Sequence, residues 1–129
     1  MQAVESQHVG DVLLAVITQP TLRDTPIIEK CQTELDKVCM EAAADKKLVL
    51  SFRNVKFMSS EMIRVVVKLH NRCKRDKLDL KLCNIAPDIM QVFQITNLNK
   101  LLTILPDETA AMKSFNKTGL LDKIWPFKK

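Results

Sequence analysis

Short apolar runs alternate with amphipathic stretches along most of this chain, and that alternation limits the fold more than any single motif does. Ala3 to His8 and Val12 to Ile17 read as two strands joined at Gly10-Asp11, where glycine supplies the positive φ of a tight turn. Leu48 to Phe52 is apolar and bounded by Asp45-Lys46-Lys47 and Arg53-Asn54, as expected of a central strand buried on both faces. Leu78 to Leu82 alternates with period two, and Leu101 to Leu105 reads as a last short strand. Helical spacing fills the intervals. Thr25 and Pro26 form an expected N-cap and first-turn pair ahead of Ile28, Cys31, Leu35, Val38 and Ala42. Met62, Ile63, Val66, Leu69 and Cys73 fit a helix from Ser60 to Lys74. Pro87-Asp88 opens a helix carrying Ile89, Val92 and Phe93, and Pro106-Asp107-Glu108 opens another through Ala110, Ala111 and Phe115. The expected order is ββαβαβαβα. It describes an α/β fold with a mostly parallel central sheet, an N-terminal antiparallel hairpin and about four helices, with binding near strand C-termini.

The chain has 129 residues, 47% of them hydrophobic, which suits one domain with a real core. Residues 1–115 are read as that domain and 116–129 as a basic, apolar tail, in which Leu120, Leu121, Ile124, Trp125 and Phe127 stand among Lys117, Lys123, Lys128 and Lys129. Such a tail suits a membrane surface or a partner, but packing onto its own domain is favoured because an exposed Trp and Phe cluster is a liability. No apolar stretch is long enough to cross a bilayer, and Met1-Gln2-Ala3-Val4-Glu5 lacks the basic-then-apolar pattern of a signal peptide, so a cytoplasmic location is expected. The formal charge of +5 would permit nucleic-acid binding, yet no segment interleaves aromatics with Lys or Arg as a base-stacking surface does, so no nucleic acid is expected. Cys31, Cys39, Cys73 and Cys83 form no Cys-x-x-Cys pair and are read as buried thiols, not as a metal site or a disulfide framework. No metal and no cofactor are expected.

The chemistry on offer centres on Ser59 and Ser60, where an apolar run passes into a helix. A hydroxyl at a helix N-terminus can cap the helix, act as a nucleophile or accept a phosphate. With two glycines in the whole chain, Gly10 and Gly119, a glycine-rich phosphate cradle cannot be built. A serine hydrolase would flank its nucleophile with glycine, whereas Met58 and Met62 stand here. The available bases are His8 and His70, and His70 lies ten residues along the same helix, about 15 Å by helical rise. Catalysis is therefore not expected. Arg64, Lys68, Arg72 and Arg75 recur along the polar face of that helix as a positive stripe, which an acidic partner groove could read.

Val55-Lys56-Phe57-Met58-Ser59-Ser60, with Ile63 and Val65-Val66-Val67, then Leu80-Lys81-Leu82-Cys83-Asn84, Pro87, Val92-Phe93, Leu98 and Leu101, resemble the STAS domain of bacterial anti-sigma-factor antagonists. The likeness spans roughly residues 10–115. In that family the first serine of a Met-Asp-Ser-Ser-Gly-Leu-Gly segment is phosphorylated by the partner, an anti-sigma factor that is a serine kinase. Ungapped alignment sets Met58 on the methionine, Ser59 on the aspartate and Ser60 on the phosphoacceptor. Glu61, Met62 and Arg64 replace the second serine and both glycines, while Ile63 matches the leucine. The resemblance thus implies a module that sequesters such a kinase through Ser59, Ser60, Glu61, Arg64 and Lys68, switched off by phosphate on Ser60. Ser59, at the strand end, is the expected helix cap. A non-phosphorylated scaffold or a lipid-transport accessory subunit is the alternative within the family.

Overall fold

The computed structural model describes residues 2–116, and the tail expected over 116–129 lies almost entirely outside them. Strand β1 (Val4–Val9) pairs antiparallel with β2 (Val12–Ile17), and Gly10 turns the hairpin at φ 62°. Strands β4 (Lys47–Ser51), β6 (Asp79–Cys83) and β7 (Ile104–Leu105) then extend the sheet in parallel, giving the order β1-β2-β4-β6-β7. Two further strands, β3 (Thr21–Leu22) and β5 (Phe57–Met58), pair parallel in a separate two-stranded sheet. The helices are α1 (Thr25–Glu41), α2 (Ser60–Arg75), α3 (Pro87–Ile95), α4 (Leu98–Leu101) and α5 (Glu108–Asn116).

Period-two geometry divides the strand residues between two apolar layers. Leu13, Ala15 and Ile17 of β2 and Leu48 and Leu50 of β4 face one layer. There Ile28, Cys31 and Leu35 of α1, Met62, Val66 and Leu69 of α2, and Phe93 of α3 pack against them. Val12, Leu14, Val16 and Val49 face the other layer, with Ala111 and Phe115 of α5. Each residue of β2 is consequently buried, which is why its sequence shows no polar alternation.

The second layer is closed by a polar latch. Ser51, at the end of β4, is fully buried, and its Oγ donates to Glu108 Oε2 at 2.6 Å in the first turn of α5. Arg53 donates from Nη1 to both carboxylate oxygens of Glu108, at 3.0 and 2.9 Å. Asp107 Oδ1 accepts from the Ala110 amide at 2.8 Å, so an acid also caps this helix.

Four expectations need correction. The N-cap of α1 is Asp24, whose extended backbone (φ −85°, ψ 140°) lets its carbonyl accept from the Ile27 and Ile28 amides, and Thr25 is the first helical residue. Leu101 ends helix α4 instead of opening a strand, because Asn97 at φ 63° reverses the chain and only Ile104 and Leu105 reach β6. The extra turn at α4 makes five helices where about four were expected. The apolar run that passes into the helix at the serines is not a continuation of the central strand either. β4 stops at Ser51, the Val55 amide turns back onto the Phe52 carbonyl at 2.9 Å, and a separate strand, β5, leads into α2.

Glu108→Ala should lower unfolding stability by about 1.5–3 kcal/mol, since it leaves the buried Ser51 hydroxyl without its charged acceptor. Removing the exposed Asp11 partner of Lys47 should shift the denaturant midpoint far less. Parallel urea titrations of the two variants read the difference.

Candidate functional site

The two-stranded sheet is what builds the site. Its strands are parallel, with Thr21 opposite Phe57 and Leu22 opposite Met58, and each leads within two residues into a helix. The Pro20 carbonyl accepts from the Lys56 and Phe57 amides at 2.7 and 3.1 Å, and the Leu22 carbonyl accepts from the Ser59 amide at 2.9 Å. Asn54 Nδ2 donates to the Ile17 carbonyl at 3.0 Å and anchors the preceding turn to β2. The N-termini of α1 and α2 therefore lie side by side, and their dipoles point their positive ends the same way. No acid stands in the first turn of α1. Glu61, from the first turn of α2, accepts from Thr25 Oγ1 at 3.3 Å and bridges the two helix starts.

The two serines have different surroundings. Ser59 is half-buried in an extended conformation (φ −77°, ψ 167°), and its Oγ accepts from the Met62 amide at 3.4 Å, which makes it the N-cap. Ser60 is the first residue of α2, exposed, and its hydroxyl bonds to no group among the described residues. Neither histidine serves it as a base. His8 lies on β1, with Nδ1 3.0 Å from Asp45 and Nε2 3.6 Å from Glu41. His70 is far along α2, where burial and then the Lys74 charge hold its pKa below the usual histidine range.

The positive stripe is narrower than the sequence implies. Arg72 pairs with Asp36 at 3.0 Å and with Asp76 at 3.5 Å, and Arg75 pairs with Asp76 at 3.4 Å. Arg64 and Lys68 are exposed and engage no acid among the described residues, so the charge available to a partner is the half nearest Ser60.

Sequence reasoning missed an apolar groove beside the serines. Met58, Ile63, Ile89 and Val92 line a cleft of about 280 Å³ between α2 and α3, with Lys56 and Asp88 at its rim and Phe57 in its wall. Phe57 is 42% exposed and carries the Arg23 guanidinium over its ring at 4.7 Å, while Val92 and Ile95 on α3 are 40% and 80% exposed. The signal for Ile95 was present, since it falls just off the helical stripe formed by Ile89, Val92 and Phe93. The signal for Arg23 was not, because its partner is 34 residues away in the chain.

Ser59→Ala should cost about 1 kcal/mol through loss of the cap. Ser60→Ala should stay within about 0.5 kcal/mol, as a surface substitution does. Comparing urea midpoints of the two variants separates the capping hydroxyl from the free one.

No helix among the described residues is long and apolar enough to cross a membrane. The fold is shared with a Thermotoga maritima protein at 16% identity and a TM-score of 0.74, covering 88% of this chain and 94% of that one. An anti-sigma factor antagonist from Mycobacterium paratuberculosis superimposes with a TM-score of 0.73 at 14% identity, covering 88% and 92% of the two chains. The anti-sigma factor antagonist SpoIIAA in its unphosphorylated form gives 0.68 at 17% identity, covering 88% of this chain and 97% of its own. Bacillus SpoIIAA in the phosphorylated form gives 0.64 at 18%, covering 87% and 99%. The model of the STAS domain matches residues 23–111, the span from the start of α1 into α5, and the chain belongs to the STAS domain family.

Proposed function

We propose that this chain is an anti-sigma-factor antagonist: a protein-binding module that sequesters an anti-sigma factor of the serine kinase type and releases it when Ser60 is phosphorylated. The observation that carries the reading is the division of labour between the serines. Ser59 supplies the cap, so Ser60 is free to accept a phosphoryl group without unravelling α2. Proteins of this fold include anti-sigma factor antagonists, one of them described in both unphosphorylated and phosphorylated forms.

The docking surface combines Ser59, Ser60 and Glu61 at the helix start, Arg64 and Lys68 one and two turns on, and the groove between α2 and α3. Apolar contact in the groove would supply affinity, and the two cations would set orientation and encounter rate. A phosphate on Ser60 adds between one and two negative charges at the rim of that apolar surface. Within the free protein it meets amide donors and Arg64, whereas a docked partner would have to desolvate it. Phosphorylation thereby acts on association more than on the fold. The action is binding, with no chemistry asked of Ser60 beyond accepting the group.

Incubation with the kinase co-purified from native cells should give a Ser60 phosphopeptide by mass spectrometry, absent in Ser60→Ala. Ser60→Glu should weaken partner binding at least tenfold, about 1.4 kcal/mol. An unmodified Ser60 with intact binding would remove the switch and leave the non-phosphorylated scaffold.

Reversing both charges in Arg64→Glu/Lys68→Glu should weaken binding and flatten its dependence on salt, measured by titration calorimetry at two ionic strengths. Equal reversal at Arg75, whose charge already meets Asp76, should do much less.

A further inference from the structure

The last turns of α1 and α2 bring together two thiols for which the docking function has no use. Cys39 and Cys73 are 2% and 1% exposed, and their Sγ atoms lie 4.0 Å apart across the interface between the helices. A disulfide needs its sulfurs about 2.05 Å apart, so closing the bond requires the sulfurs to approach by about 2 Å. The helices are already tied together at two points on the N-terminal side of the pair. Glu61 holds Thr25 at their N-termini, and Arg72 holds Asp36 at 3.0 Å one turn from the sulfurs. Cys31 lies two turns earlier on α1, and Cys83 is packed in the other apolar layer with Phe115, so neither competes for this pairing.

We infer that Cys39 and Cys73 form a reversible disulfide when the protein meets hydrogen peroxide, clamping the C-terminal ends of α1 and α2 to one another. The two thiols are unequal. The hydrogen bond from Cys73 holds the Cys39 pKa down, against the effect of burial and aided by the Arg72 charge, while the same bond and burial push Cys73 up. Cys39 is therefore the attacking sulfur. Its thiolate takes one peroxide oxygen: the S–O bond forms, the O–O bond breaks, and the leaving hydroxide gains a proton to become water. Cys73 loses its proton and attacks Sγ of the Cys39 sulfenic acid, so that the S–S bond forms and the oxygen leaves as a second water. Two thiols and one peroxide thus give one disulfide and two waters. A cleft of about 30 Å³ between the helices, lined by Leu35, Asp36, Leu69 and Arg72, lies about one turn from the sulfurs.

The inference stands apart from the proposed partner, and its test uses the full chain alone. The protein is treated with hydrogen peroxide, denatured and alkylated. Oxidation should lower the intact mass by about 2 Da and leave two thiols, not four, open to alkylation. Peptide mapping should join Cys39 to Cys73, and dithiothreitol should reverse the change. Cys31→Ser/Cys83→Ser should oxidise as the parent does, and its thermal midpoint should rise on oxidation. In Cys73→Ser, dimedone should trap the sulfenic acid at Cys39. Four alkylatable thiols after peroxide, a bridge to Cys31 or Cys83, or oxidation straight to sulfinic acid without a bridge would each overturn the inference.

Discussion

The fold depends on two strands that are apolar on both faces. β2 and β4 lie next to each other in parallel, with Leu13 beside Leu48 and Ala15 beside Leu50 facing α1 and α2, while Leu14 and Val49 face the α5 side. A strand placed this way can neither alternate with polar residues nor lie at an edge. The hairpin strand β1 takes one edge, where its side chains after Val4 are exposed, and the two-residue β7 takes the other. At about 25 cal/mol per Å² of apolar area, burial of this kind is the dominant favourable term in folding. The polar groups that enter the core are correspondingly few. Ser51 is the fully buried one on the α5 side, and it carries a charged acceptor with it in Glu108.

The position of the site follows from this layering. With α1 and α2 on the same face and crossing over in the same sense, their N-termini emerge together, and the short pairing of β3 with β5 sets their spacing. The pairing is only two residues long, yet the amide of Ser59 and the carbonyl of Leu22 continue it into the cap of α2. Local backbone bonding thus fixes Ser59 in an extended conformation and presents Ser60 to solvent. The parallel packing of the helices also accounts for the repeated matches between them, Thr25 with Glu61, Asp36 with Arg72, and Cys39 with Cys73.

Much of this was legible in the sequence, because long elements declare their period. The spacing of Ile28, Cys31, Leu35 and Val38 and that of Met62, Val66, Leu69 and Cys73 identified the two main helices and their buried faces, and the unbroken run from Leu48 identified the central strand. Ser59 was also legible as the cap, since serine before a helical run is a strong start signal. The misses concern short elements and distant partners. β3 and β5 are two residues each, too short for any periodicity, and they exist only because each pairs with the other. The turns were hidden for another reason. The chain passes through positive φ at Lys46, Lys77, Asn84 and Asn97, so the glycine that usually marks a helix end is absent. The narrowing of the positive stripe could not be read at all, because Asp36 lies on a different helix from Arg72.

Glu61 stands where the resemblance has a hydroxyl, and the balance of energies there bears on how a phosphate at Ser60 would act. Negative charge at a helix N-terminus gains roughly 0.3–1 kcal/mol at an exposed position, and two aligned helix ends lie within reach. Repulsion between two unit charges roughly 6 Å apart is about 0.7 kcal/mol in water and about 3 kcal/mol at an effective dielectric of 20. Ser60 is exposed, so the lower figure governs, and the two effects nearly cancel within the free protein. Were a partner to cover the surface, water would leave and the repulsion would move toward the higher figure, while the helix ends would be no better placed to offset it. Under the proposed function, the existing carboxylate of Glu61 would therefore amplify the effect of a new charge on binding while leaving the fold almost indifferent to it.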